Sequence, residues 1–168
     1  GTNAAELYKH SVMINADRYT VTDATNIPTG EIKSVADSVL DLRQPTILGD
    51  VIDKVPLGGY DSNLCIVDGE KNKDKKLVAK VVHPESGRTL EIHSNQPGVQ
   101  WYSSVNLPPT NTTGIAGKDG KFYFRHGAFC LETQNYPDAV NHPNFPNSIL
   151  RPGQDYYHIV EYKFGVQA

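Results

Sequence analysis

Apolar residues fall along this chain in short alternating runs, not in long helical stripes. Val12-Met13-Ile14-Asn15-Ala16 and Arg18-Tyr19-Thr20-Val21-Thr22 are rich in β-branched and aromatic residues and are broken at Asp17 and Asp23. Glu31-Ile32-Lys33-Ser34-Val35 alternates with period two. Further strands are predicted over Asn63 to Val67, Leu77 to Val82, Thr89 to His93 and Gly98 to Ser103. Phe122 to Phe124, Ala128 to Thr133 and Tyr156 to Phe164 complete the set. Turn chemistry separates these runs at short intervals, at Gly58-Gly59, Asp68-Gly69, Gln96-Pro97-Gly98, Lys118-Asp119-Gly120 and Arg151-Pro152-Gly153. Pro84-Glu85-Ser86-Gly87 lies between two strand-like runs and predicts a hairpin. Helix is scarce: Ser34 to Leu42 and Thr46 to Lys54 have room for one or two turns each. Pro137-Asp138-Ala139-Val140 has room for a single turn. Many short strands with regular turns predict an all-β protein, an antiparallel sandwich or barrel.

A chain of 168 residues suits one domain with one core. Hydrophobic residues make up 38% and charged residues 21%, with a net charge of −3 from 16 basic and 19 acidic side chains. That balance gives no basic face, so nucleic acid is not expected as a partner. The basic run Lys71-Asn72-Lys73-Asp74-Lys75-Lys76 lies between two apolar segments and reads as a solvated turn. No apolar stretch approaches the roughly 20 residues of a membrane span, so no membrane association is expected. The N-terminal residues carry neither a signal pattern nor a structural start signal and read like a cut end. The cytoplasm is the expected location. Cys65 and Cys130 each sit in an apolar run and read as buried free thiols, a disulfide being the alternative. Asn111-Thr112-Thr113 matches a glycosylation triplet of a kind that also arises by chance.

Three clusters could carry chemistry. In Phe129-Cys130-Leu131-Glu132-Thr133-Gln134, alternation places Cys130, Glu132 and Gln134 on one face of a strand. If that face lines a cleft, Glu132 is partly desolvated, which raises a carboxyl pKa and suits a base near neutrality. If it does not, Glu132 is a solvent-facing glutamate on an edge strand. In Gly58-Gly59-Tyr60-Asp61-Ser62-Asn63 the glycines allow a tight turn, and Asp61 either accepts hydrogen bonds from sugar hydroxyls or belongs to an ordinary turn. In Gln96-Pro97-Gly98-Val99-Gln100-Trp101-Tyr102, Gln100 and the aromatic rings suit a sugar's hydroxyls and C–H face. Core packing of the rings with Gln100 pointing outward is the alternative. The six histidines show no metal-ligand spacing; His126, six residues before Glu132, is the one nearest the candidate base in sequence.

Taken in order, these segments resemble the aldose 1-epimerase (galactose mutarotase) family. The likeness runs through Ile14-Asn15-Ala16-Asp17-Arg18-Tyr19-Thr20, Ile27-Pro28-Thr29-Gly30-Glu31-Ile32 and Asp41-Leu42-Arg43-Gln44-Pro45. It continues through Gly59-Tyr60-Asp61-Ser62-Asn63, Pro84-Glu85-Ser86-Gly87-Arg88 and Gln96 to Tyr102. It ends with Phe129 to Asn141, Phe145-Pro146 and Leu150-Arg151-Pro152-Gly153. The resemblance implies the C-terminal half of a large antiparallel β-sandwich, the mutarotase-type supersandwich. Such a protein binds a hexose such as galactose or glucose and interconverts its anomers with no cofactor and no metal. It further implies Glu132 as the catalytic base and Asp61 and Gln100 as sugar-binding residues. The family's acid histidine lies in a His-Ser-Tyr-Phe-Asn-Leu-type motif, and this chain begins just after the place where that motif would end. The expected partners are therefore a hexose and an N-terminal half, or another chain, that completes the sandwich. A carbohydrate-binding module built from an epimerase half, or a relative acting on hexose phosphates, are the alternatives.

Overall fold

The computed structural model describes residues 4–69 and 74–167. A five-residue helix, α1 (Ala4–Tyr8), precedes β1 (Ser11–Ile14), β2 (Ala16–Thr22), β3 (Pro28–Ser34) and the short β4 (Thr46–Ile47). Then come β5 (Asp61–Ile66), β6 (Lys76–His83), β7 (Arg88–Ser94) and β8 (Gly98–Tyr102). The two-residue strands β9 (Ile115–Ala116) and β10 (Phe122–Tyr123) are followed by β11 (Cys130–Gln134) and β12 (Val160–Val166).

All pairings are antiparallel. One five-stranded sheet has the order β12-β7-β6-β1-β4 and the other β11-β8-β5-β2-β3, with β9 and β10 forming a separate ribbon. The two large sheets pack face to face, and period-two alternation decides which side chains fill the space between them. Val12 and Ile14 of β1, Ala79 and Val81 of β6, and Ile92 of β7 meet Leu64 and Ile66 of β5, Val99 and Trp101 of β8, and Leu131 of β11. Trp101 is fully enclosed, its ring 5.6 Å from both the Tyr60 and the Phe129 rings. The Tyr60 hydroxyl donates to the Val39 carbonyl at 2.9 Å, and burial pushes its pKa up to about 12.

The all-β sandwich is as expected, and β6 and β7 form the predicted hairpin, with His83 opposite Arg88. Two local expectations change. Residues 35–42 form successive turns without helix, whereas 46–54 hold β4 and two single 3₁₀ turns, as the sequence allowed. Residues 154–159 belong to no strand, although Ile159 hydrogen-bonds Asn95, and the last strand starts only at Val160. The N-terminal segment, which carries no start signal in the sequence, folds as α1, with Leu7 buried against the core. The first half of the basic run, Lys71-Asn72-Lys73, lies outside the described residues; Lys75 in its second half pairs with Glu161.

The sandwich is closed on one side and open on the other. Tyr162 and Phe164 of β12 stand opposite Ile92 and Leu90 of β7, so they point to the inner face of their sheet. No strand of the facing sheet covers them among the described residues: Tyr162 is 49%, Phe164 80% and Val166 74% exposed. Phe164 borders an apolar hollow of 390 Å³ with Val81, Leu90 and Phe129.

Candidate functional site

The outer face of the β11-β8-β5-β2-β3 sheet carries the polar half of the same alternation. Glu132 of β11 stands opposite Gln100 of β8, which stands opposite Asn63 of β5, in one row across three strands. In the adjoining row Cys130, Tyr102 and Asp61 are aligned in the same way, and one row the other way Gln134 faces Gly98. Of these, Glu132, Gln100, Asn63, Tyr102, Asp61 and Gln134 floor an open cleft of 410 Å³, within the size range of small-molecule sites. Thr20, Thr22, Asn26 and Pro28, from β2 and the turn into β3, form one wall, and Asn106 and Pro137 close other sides.

Hydrogen bonds tie the floor together. Gln100 Nε2 donates to Asp61 Oδ1 at 2.8 Å, and Asn106 Nδ2 donates to Asp61 Oδ2 at 3.1 Å. Gln134 Nε2 donates to Asn63 Oδ1 at 3.0 Å and to Gln100 Oε1 at 3.2 Å. Asn63 Nδ2 reaches Thr20 Oγ1 at 3.3 Å, and both of these residues are buried. Gly98 makes room for this: a Cβ there would lie 2.6 Å from Asn63 Oδ1 and 3.0 Å from the Tyr136 ring. The turn that presents Asp61 is equally tight. Gly58 has φ +75°, and a Cβ on Gly59 would meet Ser103 Oγ at 2.8 Å. Tyr60 N donates to that same hydroxyl at 2.8 Å, which locks the turn onto the end of β8.

Glu132, Asp61 and Gln100 thus line one cleft. Glu132 combines the two readings the sequence left open: its face lines the cleft, yet the side chain is exposed on an edge strand and not half-dry. The reason is positional: β11 is the edge strand of its sheet. Trp101 does not face the cleft; it points into the core, and Tyr102 is the ring that lines the site. Neither cysteine is in a disulfide: Cys65 is buried on the outer face of β5, under Tyr136 and Phe145, as expected, whereas Cys130 is exposed, because it lies on the edge strand. Burial of its sulfur and the neighbouring Glu132 charge raise the Cys130 pKa.

His126 is not in the cleft. It is buried behind the Gly58-Gly59 turn, its Nδ1 sharing a 2.8 Å hydrogen bond with the Tyr8 hydroxyl, and burial holds its pKa below the usual value. No histidine, lysine or arginine is among the residues lining the cleft. Elsewhere, Glu6, His83 and Glu85 bring ligand-type atoms within 4.8 Å of one another. The Lys9 ammonium already bridges Glu6, at 3.0 Å, and Glu85, at 2.8 Å, so that cluster is an ion-pair network on the surface.

Sequence reasoning singled out three of the floor residues and passed over Asn63, Gln134 and Asn106 as members of the site. The signal for the first two was present: each lies two residues from a candidate, Asp61 or Glu132, and so on the same face. Asn106 comes from a loop, where no periodicity exists to reveal it.

The aldose 1-epimerase family model matches residues 2–163. The chain belongs to the aldose 1-epimerase family. It is 45% identical over 166 residues to galactose mutarotase of Rattus norvegicus, covering 99% of this chain and 46% of that protein. Aldose 1-epimerase of Escherichia coli K12 is 30% identical, with 95% of this chain and 46% of the relative covered. The crystal structure of an aldose epimerase homologue from C. elegans superposes with a TM-score of 0.81 at 27% identity, covering 98% of this chain and 48% of the other. This epimerase-family chain therefore spans about half the length of the relatives it matches. The sandwich is of the galactose mutarotase type. No helix among the described residues is long and apolar enough to cross a membrane.

Proposed function

We propose that this chain is the C-terminal half of a mutarotase that interconverts the α and β anomers of a hexose such as galactose or glucose. The observation that carries the reading is the single row Glu132-Gln100-Asn63 with Asp61 beside it, on the floor of a polar cleft. Glu132 is the general base. It takes the proton from the anomeric hydroxyl as the C1–O1 bond becomes a carbonyl and the C1–O5 bond breaks. The ring oxygen receives a proton from a general acid, the aldehyde turns, and reclosure on its other face gives the second anomer. Asp61 and Gln100 hold ring hydroxyls and keep the anomeric carbon near the base.

The acid belongs to the other half of the protein, since no histidine lines the cleft here. Two features support a complementary half: the cleft is open to water at Glu132, and the inner face at Tyr162, Phe164 and Val166 needs a cover to leave water. The test is polarimetry on freshly dissolved α-galactose. The chain alone is expected to be slower by about 10²–10⁴ than the chain combined with its N-terminal complement, because base without acid forfeits that much rate. Full activity from the chain alone would refute this division of labour.

The exposure of Glu132 gives one specific ground for a second reading, a carbohydrate-binding module without turnover. Galactose binding that survives Glu132→Gln, with no mutarotation even in the presence of the complement, would establish it. A role with hexose phosphates would need cationic ligands from outside this chain's cleft.

A further inference from the structure

Asp61 and Gln100 can grip a sugar only if the Gln100 amide faces the right way. Its two ends differ in chemistry, one a donor and the other an acceptor, while the shapes of the two are nearly the same. Asp61 when ionised accepts only, so the amino end of Gln100 must point at it, as the 2.8 Å contact requires. That leaves Oε1 pointing along the sheet into the floor of the cleft, an orientation that shape alone would not hold. Gln134 holds it from the other end: its amino group donates to Gln100 Oε1 at 3.2 Å and to Asn63 Oδ1 at 3.0 Å. Asn63 is 4% exposed and is fixed in turn by its donation to Thr20, itself 3% exposed.

We infer that Gln134, braced on buried Asn63, is a positioning residue that sets the orientation of the Gln100 amide and through it the hydrogen-bonding pattern offered to the sugar. The polarity runs one way along the floor, from the Gln134 amino group to the Gln100 carbonyl and from the Gln100 amino group to the Asp61 carboxylate. With this order fixed, Gln100 keeps one N–H and Asp61 keeps unused lone pairs, a donor and an acceptor side by side for neighbouring hydroxyls. Reversing Gln100 would set its carbonyl oxygen against the Asp61 carboxylate and leave the cleft without that donor. The inference rests on the proposed roles of Asp61 and Gln100.

The decisive variant is Gln134→Glu, which keeps the shape and replaces the shared donor with a carboxylate facing two carbonyl oxygens. Gln134→Met removes the donor without adding a charge and guards against a folding effect peculiar to the glutamate. Two measurements follow. In the chain itself, the side-chain amide NMR signals of Gln100, assigned by their loss in Gln100→Ala, are expected to move in both variants while the backbone spectrum stays folded. In the chain combined with its N-terminal complement, KM for galactose is expected to rise about tenfold, the scale of a lost hydrogen bond to a charged group, with kcat little changed. In a Gln100→Ala background, Gln134→Glu is expected to add little further.

Unmoved Gln100 signals in both variants would overturn the inference, as would a KM effect of Gln134→Glu that is equally large when Gln100 is already alanine. If Gln100→Ala raises KM and Gln134→Glu does not, the inference fails while the reading of the sugar site stands. If Gln100→Ala itself leaves KM unchanged, the sugar-site reading fails, and the NMR signals still decide the orientation.

Discussion

Trp101 and Gln100 are neighbours on β8, yet the two faces of the sheet make opposite demands on them. On the inner face Trp101 has no exposure and packs between Tyr60 and Phe129, so its contribution scales with apolar area and close fit. On the outer face Gln100 is half-buried and joined by hydrogen bonds to Asp61 and Gln134, so its contribution depends on direction and polarity. One strand therefore carries stability on its odd-numbered positions and recognition on its even-numbered ones. The two should come apart under mutation.

The largest effect expected is on the inner face. Trp101→Ala should cost about 3–5 kcal/mol, the range for emptying a large aromatic site in a packed core. Gln100→Ala should cost only about 1 kcal/mol, the net value of an ordinary side-chain hydrogen bond. Denaturant unfolding of both variants checks the contrast. Similar losses for the two would mean that the cleft floor is part of the folding core, and the separation of faces would fail.

Gly98→Ala tests where the faces meet. Its Cβ would enter the outer face 2.6 Å from Asn63 Oδ1, with the Tyr136 ring close behind. Neither neighbour can swing away cheaply, because Asn63 is held by Gln134 and Thr20, and Tyr136 packs edge-on against Phe145. Overpacking of this kind costs about 1–3 kcal/mol. The same variant should disturb the Asn63 side-chain amide signals, which Trp101→Ala should leave nearer their native positions.

These contrasts also explain how far the sequence could be read. The strands, the hairpin at residues 84–87 and the face shared by Glu132 and Gln134 followed from period-two alternation, which is a local property. The place of Asp61, Gln100 and Glu132 in one cleft needed cross-strand register, which no local pattern contains. Their grouping was expected from the family resemblance alone. The burial of Glu132 could not be decided for a related reason: Phe129, Cys130 and Leu131 look like core neighbours in sequence, but β11 is an edge strand, so only Leu131 among them is enclosed. His126 is near Glu132 only along the chain, since the residues between them turn from the back of the Gly58-Gly59 bend to the sheet edge. The turn before Asp61 was legible because its glycines are a backbone necessity, whereas the role of Asp61 was not. Nor was that of Gln134, because its significance lies in which atom it donates to.

A smaller effect should appear as a function of pH, and on the inner side only. Burial is the main cause of the depressed pKa of both His10 and His126, so each is held neutral in the folded chain. For His126, the nearby Arg125 charge adds to the depression, while Asp53 and the Gly58 backbone oppose it. A histidine with a lowered folded pKa binds its proton more readily when unfolded. Stability is therefore intact above the ordinary histidine value of about 6.5 and declines as pH falls below it toward the folded pKa. The melting temperature should drop between pH 7.5 and 5.5, and His126→Gln should flatten part of that slope, with His10 accounting for the rest. A slope unchanged by the substitution would place the titration elsewhere.

The smallest effect on stability, and the one that bears most on the proposed cover, should come from β12. Phe164 is on the inner face by register, like Ile92 and Leu90 opposite its strand, yet it is 80% exposed. An exposed side chain loses little when shortened, so Phe164→Ser should change unfolding free energy by no more than about 0.5 kcal/mol. Its consequence should lie in association. A β-strand edge flanked by Tyr162, Phe164 and Val166 offers an apolar strip together with unpaired backbone groups, a combination that draws in a second surface. Light scattering should show the unmodified chain self-associating, and Phe164→Ser should shift it toward monomer. Adding the N-terminal complement should give the same shift without any mutation, by covering that strip. A chain that is already monodisperse as a monomer would mean that the uncovered face tolerates water, and the need for a cover would then rest on Glu132 alone.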